Sequence, residues 1–206
     1  MGDEPSPTHF DSRSSPYPIM NVLIWNCKGA MKPKFKTTFM ELVSWHHPVI
    51  FVVTETHISG SKDDTIIRSL PFDGAYSTET LGFAGGIWFL WRSDLVDVEV
   101  ISATEQEVHA LVRVSPSTSH WLLSAIYASP RFVDRIILWN NLKLVADSHN
   151  LPWAVIEDFN DMVFQDKKFG GNPICCTRVR AYMDCMDYCH LLNLSFSGPK
   201  FTWTNM

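Results

Sequence analysis

The chain has 206 residues, 46% of them hydrophobic and 13% aromatic, enough for one domain with a sizeable core and too apolar for disorder. A formal charge of −5 excludes a protein that holds nucleic acid by global charge alone, so such a contact needs a local basic patch and a bound cation to offset the acids. No run approaches the roughly 18 apolar residues of a membrane span, and five cysteines without a secretory h-region favour a reducing intracellular setting, nuclear or cytoplasmic and not secreted.

The Pro/Ser-rich stretch through Pro18 reads as a disordered leader over residues 1–19, with order and a candidate alternative start at Met20. Met1-Gly2-Asp3-Glu4-Pro5-Ser6 formally matches a myristoylation pattern, which acidic Asp3 and nearby Pro5 disfavour. Residues 20–206 read as a single domain. Val22-Leu23-Ile24-Trp25 is a strand ending at Asn26. Gly29 turns the chain into a helix from about Pro33, whose Phe35, Phe39, Leu42 and Val43 share one face, and Pro48 ends it. Val49 to Thr54 is a second strand, ending at Glu55, and Gly60 to Pro71 is a polar loop with a short helix around Thr65 to Leu70. Ile87–Trp91, Leu95–Ile101, Val108–Val114 and Trp121–Tyr127 then follow as strands without helices between them, which implies antiparallel pairing. A helix over Val133–Ser148 would bury Ile136, Ile137, Trp139, Leu142 and Val145. Trp153 to Ile156 is a strand ending at Glu157-Asp158-Phe159-Asn160, and a helix over Thr177–Leu192 would bury Val179, Met183, Met186 and Cys189. Phe201-Thr202-Trp203-Thr204 looks like a strand with no partner after it. Two mixed, largely antiparallel sheets packed between helices are the simplest arrangement, and the final strand-like segment leaves such a sandwich with exposed edges.

Four of these apolar runs end in polar residues: Asn26, Glu55, Tyr127, and Asp158 with Asn160. Groups just beyond strand ends converge on one cleft in α/β proteins. Glu55 is a natural Mg²⁺ ligand, since that ion takes oxygen donors and keeps waters for exchange; the bland alternative is a solvated loop acid. The Asn26 amide can orient that carboxylate or a metal-bound water. Asp158 and Asn160 lie on one side of an extended chain. The acid there can help deprotonate an attacking water while the amide steadies a phosphoryl oxygen. Tyr127 can donate to a non-bridging oxygen. His57 is either a general base or an ordinary loop residue. Cys175, Cys176, Cys185, Cys189 and His190 raise a zinc alternative, but only Cys185 and Cys189 have near-ligand spacing and buried structural thiols are the simpler reading. Lys28, Lys32, Lys34 and Lys36, and more loosely Lys167, Lys168, Arg178 and Arg180, flank the cleft as contacts for a polynucleotide backbone or as plain solvated surface.

Read in order, Trp25-Asn26-Cys27-Lys28-Gly29, Thr54-Glu55-Thr56-His57, Gly85-Gly86-Ile87-Trp88, Ile126-Tyr127-Ala128-Ser129-Pro130, Asp158-Phe159-Asn160 and Gly198-Pro199-Lys200-Phe201-Thr202-Trp203-Thr204-Asn205 resemble one family. It is the endonuclease/exonuclease/phosphatase superfamily of abasic-site endonucleases and pancreatic-type deoxyribonuclease. The local wording is most similar to endonuclease domains of plant non-LTR (LINE-type) retrotransposons. The resemblance runs from about Met20 to Met206. It implies a four-layer α/β sandwich and Mg²⁺-dependent phosphodiester hydrolysis that nicks DNA, with Mn²⁺ as an alternative ion and RNA as an alternative substrate. No membrane and no obligate protein partner are expected. By the resemblance Asn26 and Glu55 are metal-side residues, Tyr127 contacts the phosphate, and Asp158 with Asn160 activates water and stabilises the transition state. Trp203 would line the substrate side. Two departures bear on activity. Glu157 stands where the family has Gly before its Asp-x-Asn acid. The family's late Asp and terminal Ser-Asp-His motif have no counterpart before Met206, and such a general acid/base is worth roughly 10² to 10⁴ in rate. The expectation is a domain truncated at its C-terminus, lacking its last strands, with weak or no activity. The alternatives are an inactive fragment or a non-enzymatic nucleic-acid-binding module.

Overall fold

The structure is a computed structural model that describes residues 20–80, 85–158 and 175–194, the side chains of Glu157 and Asp158 excepted. Its first sheet holds β1 (Val22–Asn26), β2 (Ile50–Thr54), β3 (Gly74–Ser77) and β4 (Ile87–Trp91) in the order β1-β2-β4-β3. Only β1 and β2 run parallel there. The second sheet holds β5 (Val96–Ala103), β6 (Glu107–Val114), β7 (His120–Tyr127) and β8 (Trp153–Asp158) in chain order, and only β7 and β8 run parallel. Parallel neighbours need a crossover, and each pair has a helix in it: α1 (Phe35–His46) in the first sheet and α3 (Phe132–Ser148) in the second. A short α2 (Ser61–Ile67) follows β2, and α4 (Cys176–Tyr188) follows β8.

Side-chain alternation explains the layers. Ile50 and Val52 of β2 enter the core between the sheets, beside Phe89, Val108, Ala110 and Leu123. Their neighbours Phe51 and Val53 face the other way, onto Phe35, Phe39 and Val43 of α1. Ile126 of β7 packs with Leu138, Trp139 and Leu142 of α3 and Cys185 of α4. Helix, sheet, sheet and helix follow one another, an α/β sandwich as the sequence implies.

Several elements differ from the sequence reading. β3 has no apolar run of its own and exists through its ladder with β4. In α3, Ile136 and Ile137 are 38% and 57% exposed, and Arg135 is buried in their stead beside Leu138, Trp139 and Leu142. That helix is apolar around most of its circumference, so spacing alone selects no face. Arg135 is accommodated because its Nη1 donates to the carbonyls of Ser129 at 2.8 Å and Pro130 at 3.0 Å. In α4, Met183 is exposed while Cys185 and Cys189 are buried, and the helix stops at Tyr188, just before His190 turns to a φ of 52°. The short helix lies at Ser61–Ile67, not at Thr65–Leu70, and its buried Asp63 accepts from Trp88 Nε1. Burial holds that carboxyl above the usual range. The leader and the segment at Phe201–Thr204 lie outside the described residues.

A buried polar chain ties the second sheet to α3. Glu107 Oε1 accepts from Asn141 Nδ2 at 2.6 Å, and Glu107 Oε2 lies 3.1 Å from His109 Nε2. His109 Nδ1 is 2.6 Å from Ser124 Oγ, which also accepts from Trp153 Nε1 at 2.8 Å. Glu107, His109 and Ser124 are all at most 1% exposed, so this Ser-His-Glu series is sealed from any substrate.

Candidate active site at the strand ends

β1 and β2 end side by side, with Asn26 paired to Thr54, and the backbone ladder continues past both ends. Cys27 N–H donates to the Thr54 carbonyl at 3.0 Å, Gly29 N–H to Glu55 at 2.7 Å and Ala30 N–H to Thr56 at 2.9 Å. Glu55 itself leaves the strand conformation, with a φ of 54°. From the far side, the Gly86 and Gly85 carbonyls accept from Thr56 N–H at 3.3 Å and His57 N–H at 3.1 Å. Gly86 has a φ of 89°, and a Cβ there would overlap the buried Thr56 Oγ1 and lie 2.9 Å from Thr80 Cγ2. Gly86→Ala is therefore expected to lower stability by roughly 2–4 kcal/mol, from backbone strain and overpacking together. Urea unfolding checks this, and a wild-type midpoint would refute the packing described.

The carboxylate of Glu55 is held from both sheets. Its Oε1 accepts from Asn26 Nδ2 at 2.7 Å and from the Tyr127 hydroxyl at 2.9 Å, across 72 residues of sequence. Asn26 Oδ1 accepts in turn from Lys28 N–H at 3.2 Å. Oε2 points elsewhere, with His57 Nε2 3.7 Å away, and the Glu55 side chain retains 19% exposure. Cys27 donates its S–H to the Glu55 carbonyl at 3.3 Å, and burial pushes this thiol up to about 11, so it stays protonated near neutrality.

Three of the expected site residues, Asn26, Glu55 and Tyr127, thus converge. Asp158 sits at the end of β8 with its Cα paired to that of Tyr127, which puts it at the same end of the sandwich. Asn160, Trp203, Lys167 and Lys168 lie outside the described residues. Lys28 and Lys32 are exposed beside the Asn26–Gly29 turn. Arg178, at the start of α4, lies 5.6 Å over the ring of Phe132, five residues beyond Tyr127.

No protein-family model matches the sequence, and no curated protein matches it. Solved structures do match. The endonuclease domain of a telomere-specific non-LTR retrotransposon superposes with a TM-score of 0.59 at 14% identity, over 85% of this chain and 75% of that one. An AP endonuclease from Leishmania major gives 0.57 at 11%, over 81% of this chain and 65% of that one. A mannosyl-6-phosphatase from Bacteroides thetaiotaomicron gives 0.53 at 14%, over 80% and 70%. The chain has the endonuclease/exonuclease/phosphatase fold. It spans about two thirds of the Leishmania enzyme and three quarters of the retrotransposon domain.

Within the endonuclease/exonuclease/phosphatase fold, the donor set around Glu55 suits a hard divalent cation. One carboxylate oxygen is fixed by two donors and the other lies 3.7 Å from His57 Nε2, and Mg²⁺ commonly takes one or two protein carboxylates and completes its shell with water and phosphate. Among the described residues, no three His, Cys, Asp or Glu side chains gather closely enough to hold a metal ion by themselves. The zinc alternative therefore has no cluster to rest on. Cys185 instead donates to the Trp139 carbonyl at 3.6 Å, and its contact with Cys189 lowers the latter's thiol and raises its own. Sequence reasoning missed Cys27 and Gly29 as props of Glu55. Gly29, placed just after a strand, was the one signal that could have pointed to them.

Proposed function

We propose that this site hydrolyses phosphodiester bonds with the help of a divalent cation, Mg²⁺ or alternatively Mn²⁺, and that it nicks DNA, with the weak activity expected from the sequence. One observation carries the reading: the carboxylate of Glu55 is held through Oε1 by Asn26 from one sheet and Tyr127 from the other, and its side chain keeps 19% exposure. A neighbour sharing the fold is described as an endonuclease domain and others as an AP endonuclease and a phosphatase, all acting on phosphoester chemistry in keeping with this reading.

When bound, the cation would supply charge stabilisation to phosphoryl oxygens and a more acidic water. The chain's own groups have distinct tasks. Asn26 and Tyr127 orient the Glu55 carboxylate by occupying Oε1. With a phosphate bound, the Tyr127 hydroxyl redirects its one proton from Glu55 Oε1 to a non-bridging phosphoryl oxygen, while Asn26 keeps the carboxylate oriented. Asp158 takes the proton of the attacking water, and Asn160 donates to the oxygen that gains charge. Lys28, Lys32 and Arg178 track the nucleic-acid backbone, with Trp203 as a stacking surface. Among the described residues no helix is long and apolar enough to cross a membrane, consistent with a nuclear or cytoplasmic enzyme.

The test is nicking of supercoiled plasmid by the purified protein in Mg²⁺ and in EDTA, with near-UV circular dichroism on the same sample. Nicking in Mg²⁺ that EDTA abolishes is the expected result. A well-packed protein that binds DNA in a salt-sensitive way without turnover would instead be a nucleic-acid-binding module, and the hydrolytic reading would fail.

A further inference from the structure

Glu55 follows five fully buried strand residues, Ile50 to Thr54, yet does not continue their conformation. Its φ of 54° is left-handed, a conformation that residues with a Cβ adopt only at a cost. Such strain persists only where the surroundings over-determine it. Here the Glu55 carbonyl is the point of control. It accepts the Gly29 N–H at 2.7 Å and the Cys27 S–H at 3.3 Å, both from the turn after β1. Cys27 is 9% exposed and is itself anchored through its N–H to Thr54. Gly29, with a φ of 110°, gives that turn a bend which residues with a Cβ rarely adopt.

We propose that Cys27 is a positioning residue. Its thiol, with the Gly29 amide, locks the Glu55 peptide in the left-handed turn that sends the carboxylate to Asn26 and Tyr127. Without the thiol donor the Glu55–Thr56 peptide keeps only the Gly29 N–H on its carbonyl and the Gly86 carbonyl on the Thr56 N–H, a looser hold that lets the carboxylate leave its two partners part of the time. Residue 27 therefore governs cation affinity without touching the cation or the substrate. The proposal rests on the reading of Glu55 as the cation-side carboxylate.

Cys27 also packs with Ala30, Phe35 and Trp88, so a space-filling role must be separated from a donor role. Cys27→Ser keeps a donor, whereas Cys27→Val keeps apolar bulk and loses it. The experiment titrates Mg²⁺ alone into the full-length protein by calorimetry, for wild type, both variants and Glu55→Ala, with melting temperatures alongside. The expected result is about tenfold weaker Mg²⁺ binding in Cys27→Val and near-wild-type binding in Cys27→Ser, the size typical of groups that orient a ligand. Packing alone predicts the reverse order, set by melting temperature, and Cys27→Val binding like wild type would overturn the proposal. If wild type and Glu55→Ala titrate alike, the cation reading is what fails. A crystal structure of Cys27→Val then decides the positioning role: Glu55 still bonded to Asn26 and Tyr127 overturns it, and a carboxylate released from them upholds it.

Discussion

Glu55→Ala is expected to lower Mg²⁺-dependent plasmid nicking by about 10³-fold or more, equivalent to roughly 4 kcal/mol of lost transition-state stabilisation. The size follows from the site's economy. Glu55 is a carboxylate that both Asn26 and Tyr127 serve, and its side chain keeps 19% exposure. Removing it takes the acceptor from two donors and the anion from the cation at once. Stability should fall far less, by about 1–3 kcal/mol, because Asn26 is only half-buried and water can replace part of what it loses. Tyr127→Phe makes the finer comparison. The ring keeps its place in the core between the sheets while one of the two donors to Oε1 disappears. About 10- to 100-fold loss is expected, as for other groups that orient a metal ligand. Wild-type nicking by a folded Glu55→Ala protein would remove Glu55 from the mechanism.

Glu107→Ala should have the larger effect on folding and little on the chemistry. Glu107 and His109 are each 1% exposed, and among the described residues their side chains meet Thr104, Asn141, Ser124 and, through Ser124, Trp153. Truncating one member strands the others in an apolar layer beneath α3. Breaking a buried pair in this way costs about 3–5 kcal/mol. Replacing Glu107 and His109 together by leucine should cost less than the sum of the single changes, since no partner of that pair is then left behind. Urea unfolding of the two single variants and the double gives the cycle. A loss under about 1 kcal/mol for Glu107→Ala would mean that water reaches the cluster. At temperatures where the variant is folded, nicking should match wild type, because the chain faces the helices and Glu55 lies past the end of the neighbouring sheet.

Much of the scaffold is legible in residue order. Ile50–Thr54 and Ile87–Trp91 are covered on both faces, so they appear as unbroken apolar runs with abrupt polar ends. In α1 the spacing of Phe35, Phe39 and Val43 marks one buried face because the opposite face is polar. Where burial is shared around a helix the signal fails: Ile136 and Ile137 of α3 look like core and are not, while Arg135 is buried because two carbonyls receive it. Gly74–Ser77 carries no pattern at all, since that strand is made by its partner. Nothing in the local sequence marks Glu107 and His109 as buried; three strands and a helix close around them.

Apart from the strand Gly74–Ser77, the sequence by itself determined the order of strands and helices and the polar residues at the strand ends, because local periodicity and chain punctuation are properties of neighbouring residues. It also offered Asn26, Glu55, Tyr127 and the Asp158 segment among the candidates for one site. Tertiary structure alone decided that Asn26 and Tyr127 share one oxygen of Glu55, and that Cys27 and Gly29 bend the Glu55 backbone. Those contacts join residues up to 72 positions apart, and their geometry depends on how two sheets pack and where two strands stop, which no local pattern encodes.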